Sequence, residues 1–194
     1  MRVYVATKNP GKLRELSALL AGSIWEPMTY EAYRDVVEGD EAYAANAVLK
    51  AEALRAQLLA DGVAAAVLGD DSGIEVTALG GRPGVRSARY AGPGATWADR
   101  RALLRDELAA TGSADRSARF VCALHFIDAA GRSTSVEADV AGTISPEDRG
   151  DAGFSYDAAF WYPPLQKTFA ELTEEEKNRV SHRARAVAAL IATV

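Results

Sequence analysis

Residues 3–20 read VYVATKNPGKLRELSALL, and this stretch indicates the class of fold. Residues 3–6 form a short β-type run, and leucines recur at helical spacing from Leu13 onward. Between the two patterns, Asn9 suits the position that caps a helix and Pro10 suits its first turn. The stretch therefore predicts a strand, a turn and a helix in succession, the repeating unit of α/β proteins.

The rest of the chain continues this alternation. A helix is predicted over residues 40–60. A buried strand over 64–68 is predicted to break at the turn 69–73, GDDSG, and to resume over 74–77. Farther along, the patterns predict a helix capped by Thr96 and a hairpin formed by residues 118–128 and 133–144. An irregular aromatic segment is predicted over residues 150–164. A final helix is predicted to begin at the capping box of residues 173–176 and to reach Ile191. We expect one α/β domain over residues 1–194, with a twisted mixed sheet flanked by helices and two small lobes at most.

The composition excludes several classes of protein. One cysteine allows no internal disulfide, and two histidines are too few for the usual zinc sites. The 27 acidic residues favour a hard cation held by oxygen, and the net charge of −5 argues against binding to a nucleic acid polymer. We find neither a signal-peptide core nor an apolar run of the ~20 residues that cross a membrane, so we expect a cytoplasmic protein with no membrane partner.

The turn before the first helix is a candidate phosphate site. It comprises Thr7, Lys8, Asn9, Pro10, Gly11 and Lys12. A helix N-terminus offers free N–H groups to anions, and the two lysines add positive charge. The spacing is not that of a Walker A loop, and an ordinary Asn-Pro-Gly turn with solvated lysines explains the local pattern equally well.

Asp70 and Asp71 form a candidate metal or base site, because two adjacent carboxylates follow a buried strand. Like charges next to apolar material are costly unless a cation or a shared proton is present. The alternative is a solvated turn, which Asp, Ser and Gly favour in any case. Glu38, in a turn before the second helix, is a possible further ligand.

The aromatic segment is a candidate base-binding site. Phe154, Ser155, Tyr156 and Asp157 combine ring surface with polar groups, and the later Lys177, Ser181, His182 and Arg183 add hydrogen-bond donors. Stacking with directed donors is how proteins hold an unpaired nucleobase, although such a segment can also be plain core packing. We read His125, inside a strand pattern, as a core residue. No Gly-x-Ser-x-Gly elbow supports a serine hydrolase.

These motifs together resemble the inosine triphosphate pyrophosphatase family, whose members hydrolyse deaminated purine nucleoside triphosphates to monophosphate and pyrophosphate. The resemblance runs nearly from end to end, through ATKNPGK (6–12), NAVLKA (46–51), DDSGI (70–74), GGRPGV (80–85), SARYAG (87–92), GFSYD (153–157), KTFAEL (167–172), EEKN (175–178) and SHR (181–183). No single block is specific to the family, but the occurrence of so many blocks in this order is.

The resemblance implies an elongated α/β fold with two lobes around a nucleotide cleft, a requirement for Mg²⁺, and a homodimer. It assigns residues 7–12 and Lys50 to the triphosphate, Glu38 and Asp71 to the metal, and Ser72 to the substrate. It makes Asp71 the proton acceptor, and whether that side chain meets the metal directly or through the water it deprotonates stays open. The implied base pocket consists of Phe154, Ser155, Tyr156, Asp157, Lys177, His182 and Arg183.

Three positions depart from the family pattern. Ala45 stands before Asn46 where glutamate is common, Ser155 stands where glycine is usual, and Ala158 stands where proline usually follows the aspartate. We expect Ala45 to remove a partner of the metal site and the other two to change the shape of the aromatic loop.

The function expected from this resemblance is Mg²⁺-dependent hydrolysis of ITP, dITP and XTP, by attack of an activated water in line with the leaving pyrophosphate. Donors in the base pocket would select the 6-oxo purines over adenosine. The nearest alternative is a pyrophosphatase acting on pyrimidine triphosphates, but its Ser-x-Ser-Pro-Arg-Arg type of opening is absent from residues 7–12. A nucleotide sensor without catalysis is the alternative from another class.

Overall fold

The computed structural model describes all 194 residues, Met1–Val194, and contains seven strands and five α-helices. The strands are β1 (Arg2–Ala6), β2 (Glu26–Met28), β3 (Ala66–Val76), β4 (Ser117–Ile127), β5 (Ser133–Ile144), β6 (Phe160–Tyr162) and β7 (Lys167–Thr168). The helices are α1 (Pro10–Leu20), α2 (Tyr43–Ala60), α3 (Trp97–Ala110), α4 (Glu174–Val180) and α5 (His182–Thr193).

All seven strands belong to one sheet with the order β2-β1-β3-β4-β5-β6-β7. Strand β1 runs parallel to both β2 and β3, whereas β6 runs antiparallel to both β5 and β7. The sheet is therefore mixed and helices flank it, which confirms the predicted α/β class. None of the helices combines the length and the apolar character that crossing a bilayer requires.

The chain divides into two compact units. The first unit comprises Met1–Asp71, Cys122–Ala138 and His182–Val194, and the second comprises Ser72–Val121 and Asp139–Ser181. Each unit has an apolar core of its own. In the first, Leu16 and Leu20 of α1 pack with Leu190 of α5 and with residues of β1 and β3. In the second, Phe120, Phe160 and Phe169 contact one another with ring centroids 4.6–5.8 Å apart.

The first turn of α1 has the predicted geometry. The Asn9 side chain accepts hydrogen bonds from the backbone N–H groups of Gly11 at 2.9 Å and Lys12 at 3.2 Å. The Thr7 hydroxyl in turn accepts from the Asn9 N–H group at 3.1 Å. The predicted cap at Asn9 is confirmed, and so is the cap at Thr96, which forms a capping box with Asp99.

The predicted turn at residues 69–73 is wrong. Strand β3 continues without a break through both aspartates to Val76, and Asp70 and Asp71 are buried within it. Glycine, aspartate and serine favour turns when their polar groups face water. Here the two carboxylates are satisfied by cations from other elements, so the local preference is overridden.

The single C-terminal helix predicted after residue 173 is also divided. The capping box at Thr173 is confirmed, but α4 ends at Val180 and Ser181 is extended, with φ −67° and ψ 157°. Helix α5 then begins at His182. Serine with this backbone conformation is a favoured residue at a helix start, so the sequence did contain a signal for the break.

Gly69 allows α2 to approach β3 closely. A Cβ atom at this position would lie 2.0 Å from the backbone oxygen of Ala47 and 3.0 Å from the backbone nitrogen of Ala51. Both of those atoms belong to the backbone of α2, which cannot yield as a flexible side chain can. The missing side chain of Gly69 therefore sets the distance at which α2 presents Asn46 and Lys50.

We predict that Gly69→Ala lowers the free energy of unfolding by roughly 2–3 kcal/mol, because α2 must move away from the sheet. Urea denaturation without nucleotide measures the change. Gly39→Ala is the matched control, since a Cβ atom there would meet only the Asn46 side chain at 3.6 Å, an ordinary contact. Equal stability of the two variants would contradict the close approach.

His125 is a buried residue of β4, and its Nδ1 atom lies 2.7 Å from the hydroxyl of Ser135 on β5. Burial lowers the pKa of His125 below its usual value, and the charge of Glu52 only partly offsets this. The unfolded chain therefore binds a proton at this histidine more readily than the folded chain does.

A histidine with a lowered pKa contributes stability above its unfolded pKa of about 6.5, and that contribution is lost as the pH falls. We predict that the wild-type protein loses stability between pH 7 and pH 5 more steeply than His125→Gln, in which the amide still reaches Ser135. Denaturation midpoints across this pH range measure the difference. Parallel profiles would show that His125 is not involved.

Candidate active site

Asp70 lies at the centre of a buried cluster of charges in the first unit. Its side chain is fully buried, and Arg183 of α5 donates from Nε to Oδ2 at 3.1 Å. Lys12 of α1 forms an ion pair with Oδ1, and the Cys122 thiol donates to Oδ2 at 3.3 Å. Arg183 also pairs with Glu15 of α1. Three elements far apart in sequence thus meet at one carboxylate.

This cluster stabilises the charged forms of both Asp70 and Arg183. Burial alone would raise the pKa of Asp70, but Arg183 and Lys12 outweigh it and hold that pKa far below its usual range. Burial likewise opposes the charge of Arg183, yet Asp70 and Glu15 raise its pKa above the usual value. Burial and the Asp70 charge raise the pKa of the Cys122 thiol, so this cysteine is an unreactive donor.

Asp71 has different surroundings. One carboxylate oxygen accepts from Lys50 Nζ at 2.9 Å, and the other accepts from Asn46 Nδ2 at 3.0 Å. Lys50 also forms an ion pair with Glu38 and donates to the backbone oxygen of Asp70 at 3.1 Å. Asn46 bonds to both the N–H and the carbonyl of Gly39, next to Glu38. Lys50 of α2 therefore contacts both predicted metal ligands, Glu38 and Asp71.

The pKa values of the two neighbouring aspartates move in opposite directions. Burial raises the pKa of Asp71, and Lys50 and Lys12 only partly offset this. Burial would lower the pKa of Lys50, but Asp71 and Glu38 more than compensate and raise it. The fold thus stabilises the charged form of Asp70 and disfavours that of Asp71.

Glu38 and Asp71 fit a magnesium ion. Their carboxylates converge on a single ammonium group, that of Lys50, so one cation can reach both. No group of three or more His, Cys, Asp or Glu side chains is arranged to hold a metal. Magnesium commonly binds through one or two carboxylates and completes its shell with water and substrate phosphates, which matches this pair.

The predicted phosphate-binding residues are only partly brought together. Lys12 and Lys50 both contact the Asp70–Asp71 segment, whereas Lys8 is exposed at the start of the turn. Ser72 follows Asp71 directly and is half-buried. The roles of these residues toward a substrate stay predictions.

A second group of predicted residues lies in the second unit. The Asp157 carboxylate accepts from the Phe154 N–H group at 2.7 Å and from Lys177 Nζ at 2.5 Å. Lys177 Nζ lies 5.2 Å from the centroid of the Phe154 ring, within cation–π range. A Cβ atom on Gly153 would lie 2.2 Å from Asp157, so only glycine fits there. Beside this loop is a cavity of about 260 Å³, lined by residues that include Phe154, Ser155 and Asp157.

The departures from the family pattern can be compared with this loop. Ser155 has φ +63°, the left-handed conformation that glycine adopts most easily. The serine therefore keeps a backbone shape that glycine would also allow. Ala158 lies in a short 3₁₀ helix, Asp157–Ala159.

The Tyr156 ring is fully buried against Trp97, and its hydroxyl donates to the backbone oxygen of Ser87 at 3.0 Å. The base-binding roles of these residues stay predictions.

His182 and Arg183 belong to the first unit, although they follow Lys177 closely in the sequence. Both side chains are buried, and Arg183 forms ion pairs with Asp70 and Glu15. From the sequence, no site role was assigned to Glu15 and Cys122, which belong to the cluster around Asp70 and Arg183, or to Asn46, which contacts Asp71. Helical spacing was the available signal for two of them, because Glu15 lies three residues after Lys12 and Asn46 lies four before Lys50.

Comparisons with known proteins give one consistent result. The sequence model of the Ham1 family matches residues 3–193. The chain is 45% identical to a dITP/XTP pyrophosphatase of Geobacillus kaustophilus, with 97% of this chain and 91% of that protein covered. It is 42% identical to a dITP/XTP pyrophosphatase of Thermus thermophilus, with 98% and 90% covered.

Solved structures agree. The chain is similar to a HAM1 protein from Coxiella burnetii, with a TM-score of 0.88, 33% identity, and coverage of 100% of this chain and 98% of that one. It is also similar to a nucleoside-triphosphatase, or dITP/XTP pyrophosphatase, from Mycobacterium abscessus, with a TM-score of 0.73, 38% identity, and coverage of 98% and 99%.

The two aspartates should differ in their effects on stability. Asp70→Asn leaves the buried Arg183 without one of its carboxylates, and we expect a loss of about 3 kcal/mol in the free energy of unfolding. Asp71→Asn should cost at most about 1 kcal/mol, because Lys50 keeps Glu38 as a partner. Denaturant unfolding without nucleotide or metal compares the two variants. Equal losses would contradict the structural role assigned to Asp70.

Proposed function

Because this chain belongs to the Ham1 family, and relatives similar along their whole length are named dITP/XTP pyrophosphatases, we propose that it hydrolyses deaminated purine nucleoside triphosphates. The substrates are ITP, dITP and XTP, and the products are the nucleoside monophosphate and pyrophosphate. The reaction depends on Mg²⁺ and removes these nucleotides from the pool.

One observation carries the proposal: Lys50 contacts both Glu38 and Asp71, while Lys12 pairs with the adjacent Asp70. Two lysines, from α1 and α2, and the carboxylates of Glu38 and Asp71 meet beside residues 70–71 of β3, and they form the set of groups that a triphosphate with its cation requires. Asp70 is not available as a ligand, because Arg183 and Lys12 already occupy it within the protein interior.

The residues of this chain have separate tasks in the proposed reaction. Lys12 and Lys50 bind phosphate oxygens and orient them. Asp71 accepts a proton from the attacking water, and Asn46 holds its carboxylate in position through the bond at 3.0 Å. When it is bound, Mg²⁺ supplies neutralisation of the triphosphate charge next to Glu38 and Asp71.

Base selection is assigned to the second unit. Inosine and xanthosine present an oxygen acceptor at the purine 6-position, whereas adenosine presents an amino donor. Lys177 is a donor beside the Phe154 ring, so a 6-oxo base satisfies it and an amino group does not. A cavity of about 260 Å³ is close to the smallest small-molecule pockets, so it suits part of a nucleotide rather than all of it. The family resemblance extends the proposal to a homodimer in the cytoplasm.

The test is a panel of ITP, dITP, XTP, GTP, ATP and UTP, assayed for pyrophosphate and for phosphate with Mg²⁺ or with a chelator. We expect pyrophosphate release from ITP, dITP and XTP only with Mg²⁺, and a kcat/KM for ITP that exceeds that for ATP by roughly 10⁴. Asp71→Asn should lower kcat by at least about 100-fold while it stays folded.

Each alternative has its own outcome in this panel. Equal turnover of ATP and ITP would overturn the base selectivity, and preferred turnover of UTP would favour the pyrimidine enzymes. Nucleotide binding without turnover would indicate a sensor. Near wild-type pyrophosphate release by Asp71→Asn at saturating Mg²⁺ would remove Asp71 from its catalytic role.

A further inference from the structure

Arg101 connects α3 to the aromatic loop of the second unit. Its Nη1 atom donates to the backbone oxygen of Ser155 at 2.6 Å, and its Nε atom donates to Asp148 Oδ2 at 2.8 Å. The side chain is 15% exposed, so water competes little for these bonds. One guanidinium group thus joins the loop to a carboxylate outside it.

Asp148 is held from the same helix by a second arginine. Arg105 lies four residues after Arg101, on the same face of α3, and pairs with the other oxygen of Asp148. Arg105 Nε also donates to the backbone oxygen of Ser145 at 3.0 Å. Because Asp148 is fixed by both arginines, it fixes the plane of the Arg101 guanidinium in return.

Ser155 is the residue of the loop that most needs such support. Its φ of +63° is a conformation in which a side chain is strained and glycine is not. The bond from Arg101 reaches the carbonyl of this same residue, so it restrains the peptide unit that follows the strained φ. Arg101 also lines the cavity of about 260 Å³, together with Phe154 and Asp157.

We propose that Arg101 is a positioning residue that holds the loop of residues 153–157 in the shape that recognises the purine base, acting through the carbonyl of Ser155. This inference rests on the proposed function, which assigns the base to that loop. It concerns binding rather than the reacting groups, since the acids and lysines assigned to the chemistry belong to the first unit.

The first experiment is Arg101→Ala, with steady-state kinetics on ITP and calorimetric titration of inosine monophosphate. We expect KM for ITP and Kd for the monophosphate each to rise by about tenfold, with kcat changed by less than about twofold. Arg119→Ala is the matched control, because Arg119 also pairs with a carboxylate, Glu75, at 2.8 Å within the second unit. Both constants should be unchanged in that variant.

The second experiment asks whether the effect passes through Ser155. Glycine adopts the left-handed conformation without strain, so Ser155→Gly should make the support of Arg101 less necessary. In a double-mutant cycle, Arg101→Ala should raise KM by less than about threefold when Ser155→Gly is also present. A purely structural arginine would give the same factor in both backgrounds.

Several outcomes would overturn the inference: unchanged KM and Kd in Arg101→Ala, a fall confined to kcat, or an equal effect in the two backgrounds. If Arg101→Ala does not fold, Arg101→Gln enters the same cycle, since its amide keeps one donor for Ser155. A wild-type protein that binds inosine monophosphate without releasing pyrophosphate from any nucleotide would refute the proposed function, and the titrations would still test Arg101. Failure to bind the monophosphate, together with no pyrophosphate release from any nucleotide, would refute both.

Discussion

The ion pair between Asp70 and Arg183 joins residues 113 positions apart inside the first unit, and neither side chain reaches water. A buried charge without a partner costs several kcal/mol, so neither residue tolerates the absence of the other. Arg183 can meet Asp70 only if α5 starts in the right place, and Lys12 only if α1 does. The starts of both helices are therefore tied to one carboxylate of the sheet.

Strand alternation explains why the two adjacent aspartates have different partners. Successive side chains of a strand point to opposite faces of the sheet. Asp70 consequently points toward the arginine of α5 and the lysine of α1, while Asp71 points toward Asn46 and Lys50 of α2. Gly69 shares the face of Asp71 and lets α2 come close. Asp70 therefore stabilises the fold through buried ion pairs, whereas Asp71 contacts Asn46 and Lys50 of α2.

The predictable parts of the fold were those whose signals are local. The start of α1 follows from Asn9 and Pro10, and the hairpin of β4 and β5 follows from alternation and turn residues, so each was predicted to within a residue or two. The continuity of β3 was missed because its GDDSG segment has the composition of a turn. The cations that make it a strand come from residues 12, 50 and 183, whose proximity no local pattern reveals.

Motifs that are adjacent in the sequence can have different buried partners. Lys177 and Arg183 are six residues apart and were predicted to share a base pocket. Lys177 pairs with Asp157 in the second unit, whereas Arg183 is enclosed with Asp70 and Glu15 in the first. The extended backbone of Ser181 ends α4, which carries Lys177, and α5, which carries Arg183, begins at the next residue. A motif that spans a helix break can thus have a separate set of buried partners on each side of the break, and local spacing does not predict which partners those are.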